Sequence, residues 1–167
     1  MDFTTLARIC TNCQEMTPHA DFYDCDACWC KECRKMDEKR RRSDPVFRAK
    51  FRQRYETDTG VRAGYMVARA KKRAVSTGVK FSLTKEWVKA ALDRGTCEIT
   101  GLPFDLKASS RDPRNPYGPA IDRRIAGGDY SEVNCRIVLI AVNTALLDWG
   151  DEPFFRIVRA VVDRGLA

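Results

Sequence analysis

Asp122 ends an apolar stretch, the pair Gly127-Gly128 follows, and Asn134 and Asn143 stand on either side of the run Ile137–Val142. A carboxylate closing one strand of a hairpin and an amide on the helix after it offer two oxygen ligands. Such a pair can hold a divalent cation against a phosphate. The chemistry this predicts is hydrolysis of a phosphodiester. The same stretch contains no histidine to act as a base, since the sole histidine of the chain is His19.

A second constellation lies near the N-terminus. Six of the eight cysteines form three C-x2-C pairs: Cys10 with Cys13, Cys25 with Cys28, and Cys30 with Cys33. A C-x2-C turn points two thiolates at one tetrahedral ion, and two turns close a structural zinc site. Zinc binding supplies on the order of 10–16 kcal/mol, enough to fold a segment with almost no core. The spacing leaves open which thiols close the site, and His19 reads as a solvated loop residue.

The elements that must position these groups fall into three segments. Residues 1–36 are cysteine-rich and hold little periodic apolar character. Residues 37–78 predict basic helices. Ser43-Asp44-Pro45 offers a cap and a first-turn proline, Val46, Phe47, Phe51 and Tyr55 recur at helical spacing, and Gly60 is expected to break this helix. A second helix is expected over 61–77, stopping at Gly78. Residues 79–167 predict a short strand over Lys80–Leu83 and a helix after Thr84 with Trp87, Val88, Ala91 and Leu92 on one face. After a proline-rich loop, extended pieces are expected over 119–123 and 135–138, then helices over 138–149 and 151–162. The expected core comprises Ile121, Ile137, Val138, Leu146, Trp149, Phe154, Phe155, Val158 and Val161. The fold class is α+β.

Charge is unevenly placed. Of the formal +7, Lys31–Arg73 carries a net +10, from 16 Lys or Arg against 6 Asp or Glu. Such a stripe is expected of a polyanion-binding surface. Arg40, Arg41, Arg42, Arg48, Arg52, Lys71, Lys72 and Arg73 are the candidate nucleic-acid contacts, acidic residues at i±4 being too few to absorb them. Nothing specifies bases, so DNA would be held by its backbone. The N-terminal twelve residues lack an apolar core of signal-peptide length, and Ile137–Val142 is far too short to span a bilayer. A soluble cytoplasmic protein with no membrane partner is expected, a setting in which eight cysteines point to metal more than to disulfides.

The run Asp122-Arg123, Asn134, Asn143 resembles the HNH (His-Me finger) endonuclease motif with its ββα-metal fold. In that family an Asp-His pair ends the first strand, the Asp binding the metal and the His serving as general base. A middle Asn pins the loop, and a final His or Asn on the helix completes the metal site. The resemblance implies that Asp122 and Asn143 bind catalytic Mg²⁺ or Mn²⁺ and that Asn134 braces the loop. The layout CTNCQEMTPHADFY followed by CKEC resembles the small zinc ribbons of phage-encoded members. It implies Cys10, Cys13, Cys30 and Cys33 as the structural Zn²⁺ ligands, with Cys25 and Cys28 as extras, and a host-cell cytoplasmic setting. Cys97-Glu-Ile-Thr-Gly101 resembles a knuckle of the family. Its other thiols are replaced by Thr100, Leu139 and Val142, which implies apolar packing in place of a second zinc.

The base position is Arg123, which stays protonated and cannot take a proton from water. It is expected to contact the scissile phosphate, with Tyr117, Asp129 or Tyr130 as possible assistants. The architecture implied is a zinc ribbon (1–36), a basic helical connector (37–78) and an HNH-like domain with a C-terminal helix (79–167). The function implied is a metal-dependent DNA endonuclease. The alternative is a catalytically inactive HNH-like module that binds nucleic acid or a host protein.

Overall fold

The computed structural model describes residues 7–23, 27–107 and 115–165. Among them the chain is α+β, with six α-helices and two antiparallel two-stranded sheets. It divides into two compact units, Met1–Phe51 and Arg52–Ala167.

In the first unit, β1 (Ala7–Ile9) pairs with β2 (Met16–Pro18), a short 3-10 turn follows over His19–Asp21, and α1 runs over Lys31–Ser43. The helix starts where the thiol of Cys30 accepts from the Cys33 amide at 3.4 Å. The buried cluster is small: Cys10, Phe22, Ala27, Cys30 and Cys33, with Trp29 against it. Three of its five members are cysteines, so the apolar contribution to this unit is slight.

Helix α2 (Pro45–Thr57) begins as the sequence predicts, the Val46 amide donating to Asp44 Oδ1 at 2.8 Å. Its end is set by Asp58 and not by Gly60. The Asp58 carboxylate accepts from the amides of Gly60 and Val61 and caps α3 (Thr59–Thr77), placing Gly60 inside the first turn. Gly78 closes α3 with φ of 69°, a conformation that favours glycine. The buried face of α3 (Ala63, Met66, Ala70, Ala74) packs with Val88, Ala91 and Leu92 of α4 (Lys85–Asp93). The small alanine side chains allow that close approach. Helix α3 therefore shares one core with the segment 79–165, where the sequence had suggested a separate connector.

The remaining core is a hairpin and the helix after it. In β3 (Pro119–Arg123) and β4 (Cys135–Leu139) the register sets Ile121 opposite Ile137 and Asp122 opposite Arg136. Helix α5 spans Ile140–Leu146, shorter than the predicted 138–149. Val138 and Leu139 still belong to the strand, and Leu147 leaves the helix at φ of 41°. The predicted strand Lys80–Leu83 reduces to one bridge between Phe81 and Tyr130.

Ile121, Ile137, Val138 and Leu146 are core residues as expected. Trp149 is not, being 72% exposed, and Val158 and Val161 are exposed as well. Helix α6 (Asp151–Asp163) is amphipathic yet buries none of its residues. Phe155 is only half-buried, and Phe154 alone reaches the apolar cluster around Leu146. An apolar stripe is covered only where a partner lies against it. Among the described residues no helix is long and apolar enough to cross a membrane.

Leu146→Ala should lower the stability of the second unit by about 2–5 kcal/mol in urea denaturation. Val161→Ala should change it by less than about 0.5 kcal/mol. Equal losses would contradict this placement of the core.

Candidate functional site

The thiols of Cys10, Cys13, Cys30 and Cys33 lie within 4.8 Å of one another. Two come from the turn after β1, whose tightness is fixed by the Gln14 amide donating to the Cys10 carbonyl at 2.8 Å. The other two come from the cap and first turn of α1. The Cys10 and Cys33 sulfurs are 3.8 Å apart. A tetrahedron with Zn–S bonds of roughly 2.3 Å has S–S edges of about 3.8 Å, so the group fits a metal ion such as zinc.

The surroundings act on the thiols in opposite directions. The Cys30 amide donates to Cys10 Sγ at 3.2 Å. Burial opposes ionisation of Cys10, but the backbone amides of Cys13, Cys30 and Asn12 outweigh it and bring the thiol down to about 6. Asn12 pulls Cys33 the same way, yet burial and the thiols of Cys30, Cys13 and Cys10 push it up to about 12. A metal must therefore displace protons from this group as it binds. Cys28 is exposed and serves through its carbonyl, which accepts from the Thr11 amide and hydroxyl. Cys25 lies outside the described residues. His19 is exposed in the 3-10 turn.

The second site is a cleft of about 530 Å³ in the second unit. Asp122, Arg123 and Asn143 all line it, brought there by the hairpin and by α5. Asp122 is 5% exposed, and its Oδ2 accepts from Arg136 Nε at 2.7 Å. The same guanidinium donates to both carboxylate oxygens of Asp151, the first residue of α6. The hydrogen bonds that Arg136 donates to Asp151, set against the cost of burial, raise its pKa further and keep it charged. In return Arg136 lowers that of Asp151 below the usual carboxylate range. Arg136 was not among the expected site residues, although a lone Arg inside an apolar strand is itself a sign of a buried partner.

Arg123 is held on two sides. Its Nη1 donates to the Gly128 carbonyl at 2.9 Å, and its Cζ lies 4.8 Å from the centre of the Tyr130 ring. Arg73 reaches the same tyrosine, its Nε donating to the Tyr130 hydroxyl at 3.2 Å. Asn134 laces the intervening loop. Its Oδ1 accepts from the Ile125 amide, and its Nδ2 donates to the Asp129 and Ile125 carbonyls. The double glycine is needed here. Gly127 has φ of 76°, and a Cβ on Gly128 would come 2.7 Å from Asn134 Nδ2. Of the suggested assistants Tyr130 lines the cleft; Tyr117 and Asp129 do not.

For a divalent ion the cleft offers one carboxylate already engaged by Arg136, the amide of Asn143, and Asp148 among its lining residues. Among the described residues the four thiols of the first unit are the group of His, Cys or carboxylate side chains placed to hold a metal ion, and the cleft gathers no three such side chains.

The basic candidates differ in their surroundings. Arg40 and Arg41 pair with Asp37, and Arg42 with Glu38, so local acids do answer this part of the stripe, contrary to the sequence expectation. Those acids sit three or four residues before each arginine, on the same helical face. Arg48 and Arg52 are exposed on α2, and Lys71 and Lys72 on α3 outside the cleft lining. Arg73 lines the cleft, joined by Arg69 and by Tyr65. Their i, i+4 spacing was the available signal.

Cys97 is buried among Val138, Leu139, Val142 and Leu146. The turn after it closes through the Cys97 amide on the Leu102 carbonyl and the Gly101 amide on the Cys97 carbonyl. Comparison of the chain with protein-family models, curated proteins and solved structures gives no match.

Removing bound metal with a chelator should unfold the first unit, seen as a change in Trp29 emission, and leave the helical signal of α3–α4 intact. Survival of the first unit without metal would contradict its dependence on the thiol group. In the second unit, the lowered Asp151 pKa means stability present at neutral pH that is lost as pH falls through and below about 4. Asp151→Asn should flatten that part of the acid-denaturation profile.

Proposed function

We propose that the second unit is an HNH-like ββα-metal module and that the chain is a metal-dependent DNA endonuclease cleaving phosphodiester bonds. The observation that carries this reading is the convergence of Asp122 and Asn143, from a hairpin and the helix directly after it, on one cleft flanked by Arg73 and Arg123. Asp122 and Asn143 would hold Mg²⁺ or Mn²⁺ together with the phosphate. A divalent ion in such a site supplies water activation and charge neutralisation, which removes the need for a protein base. Arg123 holds the non-bridging oxygens of the scissile phosphate and stabilises the charge that develops on them. The Gly128 carbonyl and the Tyr130 ring fix its direction. Asn134 keeps the loop that carries both. The four-thiol site of the first unit acts as a structural zinc ribbon.

A second reading is favoured by the Arg136–Asp122 pair. A carboxylate already neutralised by a buried guanidinium is a weaker cation ligand, and no histidine stands beside it. On that reading the module is catalytically inactive and binds nucleic acid or a host protein through its basic surface.

Nicking of supercoiled plasmid with Mg²⁺ or Mn²⁺ separates the two. Asp122→Asn, which keeps an acceptor for Arg136, should abolish nicking and leave DNA binding intact. Arg123→Ala should slow it by about 100- to 1,000-fold. Absence of nicking by the native protein, with salt-sensitive binding retained, would establish the binding module instead.

A further inference from the structure

The α3 side of the cleft combines arginines with a tyrosine in an ordered row. Tyr65, Arg69 and Arg73 follow one another at four-residue intervals along α3, about 6 Å apart, and all three line the cleft. Arg69 lies over the Tyr65 ring at 5.7 Å. Tyr65 is set in place from behind. Tyr55 meets it edge-on, with centroids 5.3 Å apart at 80°. Tyr55 is itself covered by Arg62 at 4.1 Å, and that buried guanidinium is tied to the Tyr55 and Leu106 carbonyls. Tyr65 nevertheless remains 41% exposed. A rigidly supported tyrosine with exposed ring surface, followed by a cation on each succeeding turn, matches a strand whose base stacks and whose next phosphates are neutralised in sequence.

We propose that this cleft binds a single nucleic-acid strand, with an unpaired base stacked on Tyr65 and successive phosphates on Arg69 and Arg73. The inference rests on reading the cleft as a phosphodiester site and names its substrate class: single-stranded or locally unpaired DNA in preference to intact duplex. The concavity has the volume of a small-ligand site, the scale of a nucleotide and not of a double helix. In a duplex each base is covered above and below by its neighbours, and a ring inside a cleft reaches only a base that has left the stack. Arg73 and Arg123 both reach the Tyr130 ring, at 5.9 and 4.8 Å from its centre, so the strand passes from the one to the other.

The test uses the full zinc-loaded chain, without added Mg²⁺ or Mn²⁺ so that nothing is cut. The probes are a single-stranded oligonucleotide carrying 2-aminopurine and the same oligonucleotide in duplex form. Native protein should bind the single strand about tenfold or more tightly than the duplex, and the probe fluorescence should be quenched by stacking. Tyr65→Ala should lose both the preference and the quenching, while Tyr65→Trp should keep both. A thermal melt of each variant shows that α3 is intact. Equal native affinity for the two probes, or equal weakening of both by Tyr65→Ala, overturns the single-strand proposal and leaves the phosphodiester reading standing. Binding of neither probe at low salt overturns the proposal and that reading together.

Discussion

Arg136 is a cation inside an apolar strand, and the second unit is arranged around answering it. Taking a guanidinium out of water costs several kcal/mol unless carboxylates receive its protons with good geometry. Asp122 receives Nε from the partner strand, and Asp151 takes the outer face of the fork from the start of α6. One residue thereby ties β4 to β3 and to the last helix. The hairpin register follows as well. A slip by one position would set Arg136 against Ile121 or Arg123 and leave it unanswered. The carboxylate that the cleft depends on is held in direction by a contact whose first role is structural. The cleft takes the direction of this carboxylate from the fold and shares it with Arg136.

The hairpin, the glycine loop and the helix after them were legible because each follows from local rules: an apolar run, a turn that needs glycine, a cap. Asp122, Arg123, Asn134 and Asn143 were singled out by residue type, spacing and the family resemblance, and the paired turns marked a thiol site whose four members the resemblance chose from six. Arg136 was hidden. One charge in a run of apolar residues gives no hint of which acid meets it, since that depends on register and on where α6 docks. Tyr65 and Arg69 were lost inside a long basic stripe whose members looked equivalent until α3 turned two of them toward the cleft. Trp149, Val158 and Val161 show the reverse error: helical periodicity marks a face that is able to pack, and burial also requires something to pack against.

The two units solve the problem of a small core differently. The first has few apolar side chains and gathers four thiols around a space of ionic size. In the second, Cys97 is one member of an apolar cluster with Val138, Leu139, Val142 and Leu146.

Gly128 and Asn134 illustrate a different constraint. The amide of Asn134 occupies the space that any side chain at position 128 would need. It also supplies the hydrogen bonds that keep residues 125–129 in shape. Neither position is free to vary alone, because a side chain at 128 expels the amide and loss of the amide releases the loop. In an evolving lineage the two sites would drift as a pair or stay fixed together, whatever chemistry the loop goes on to serve.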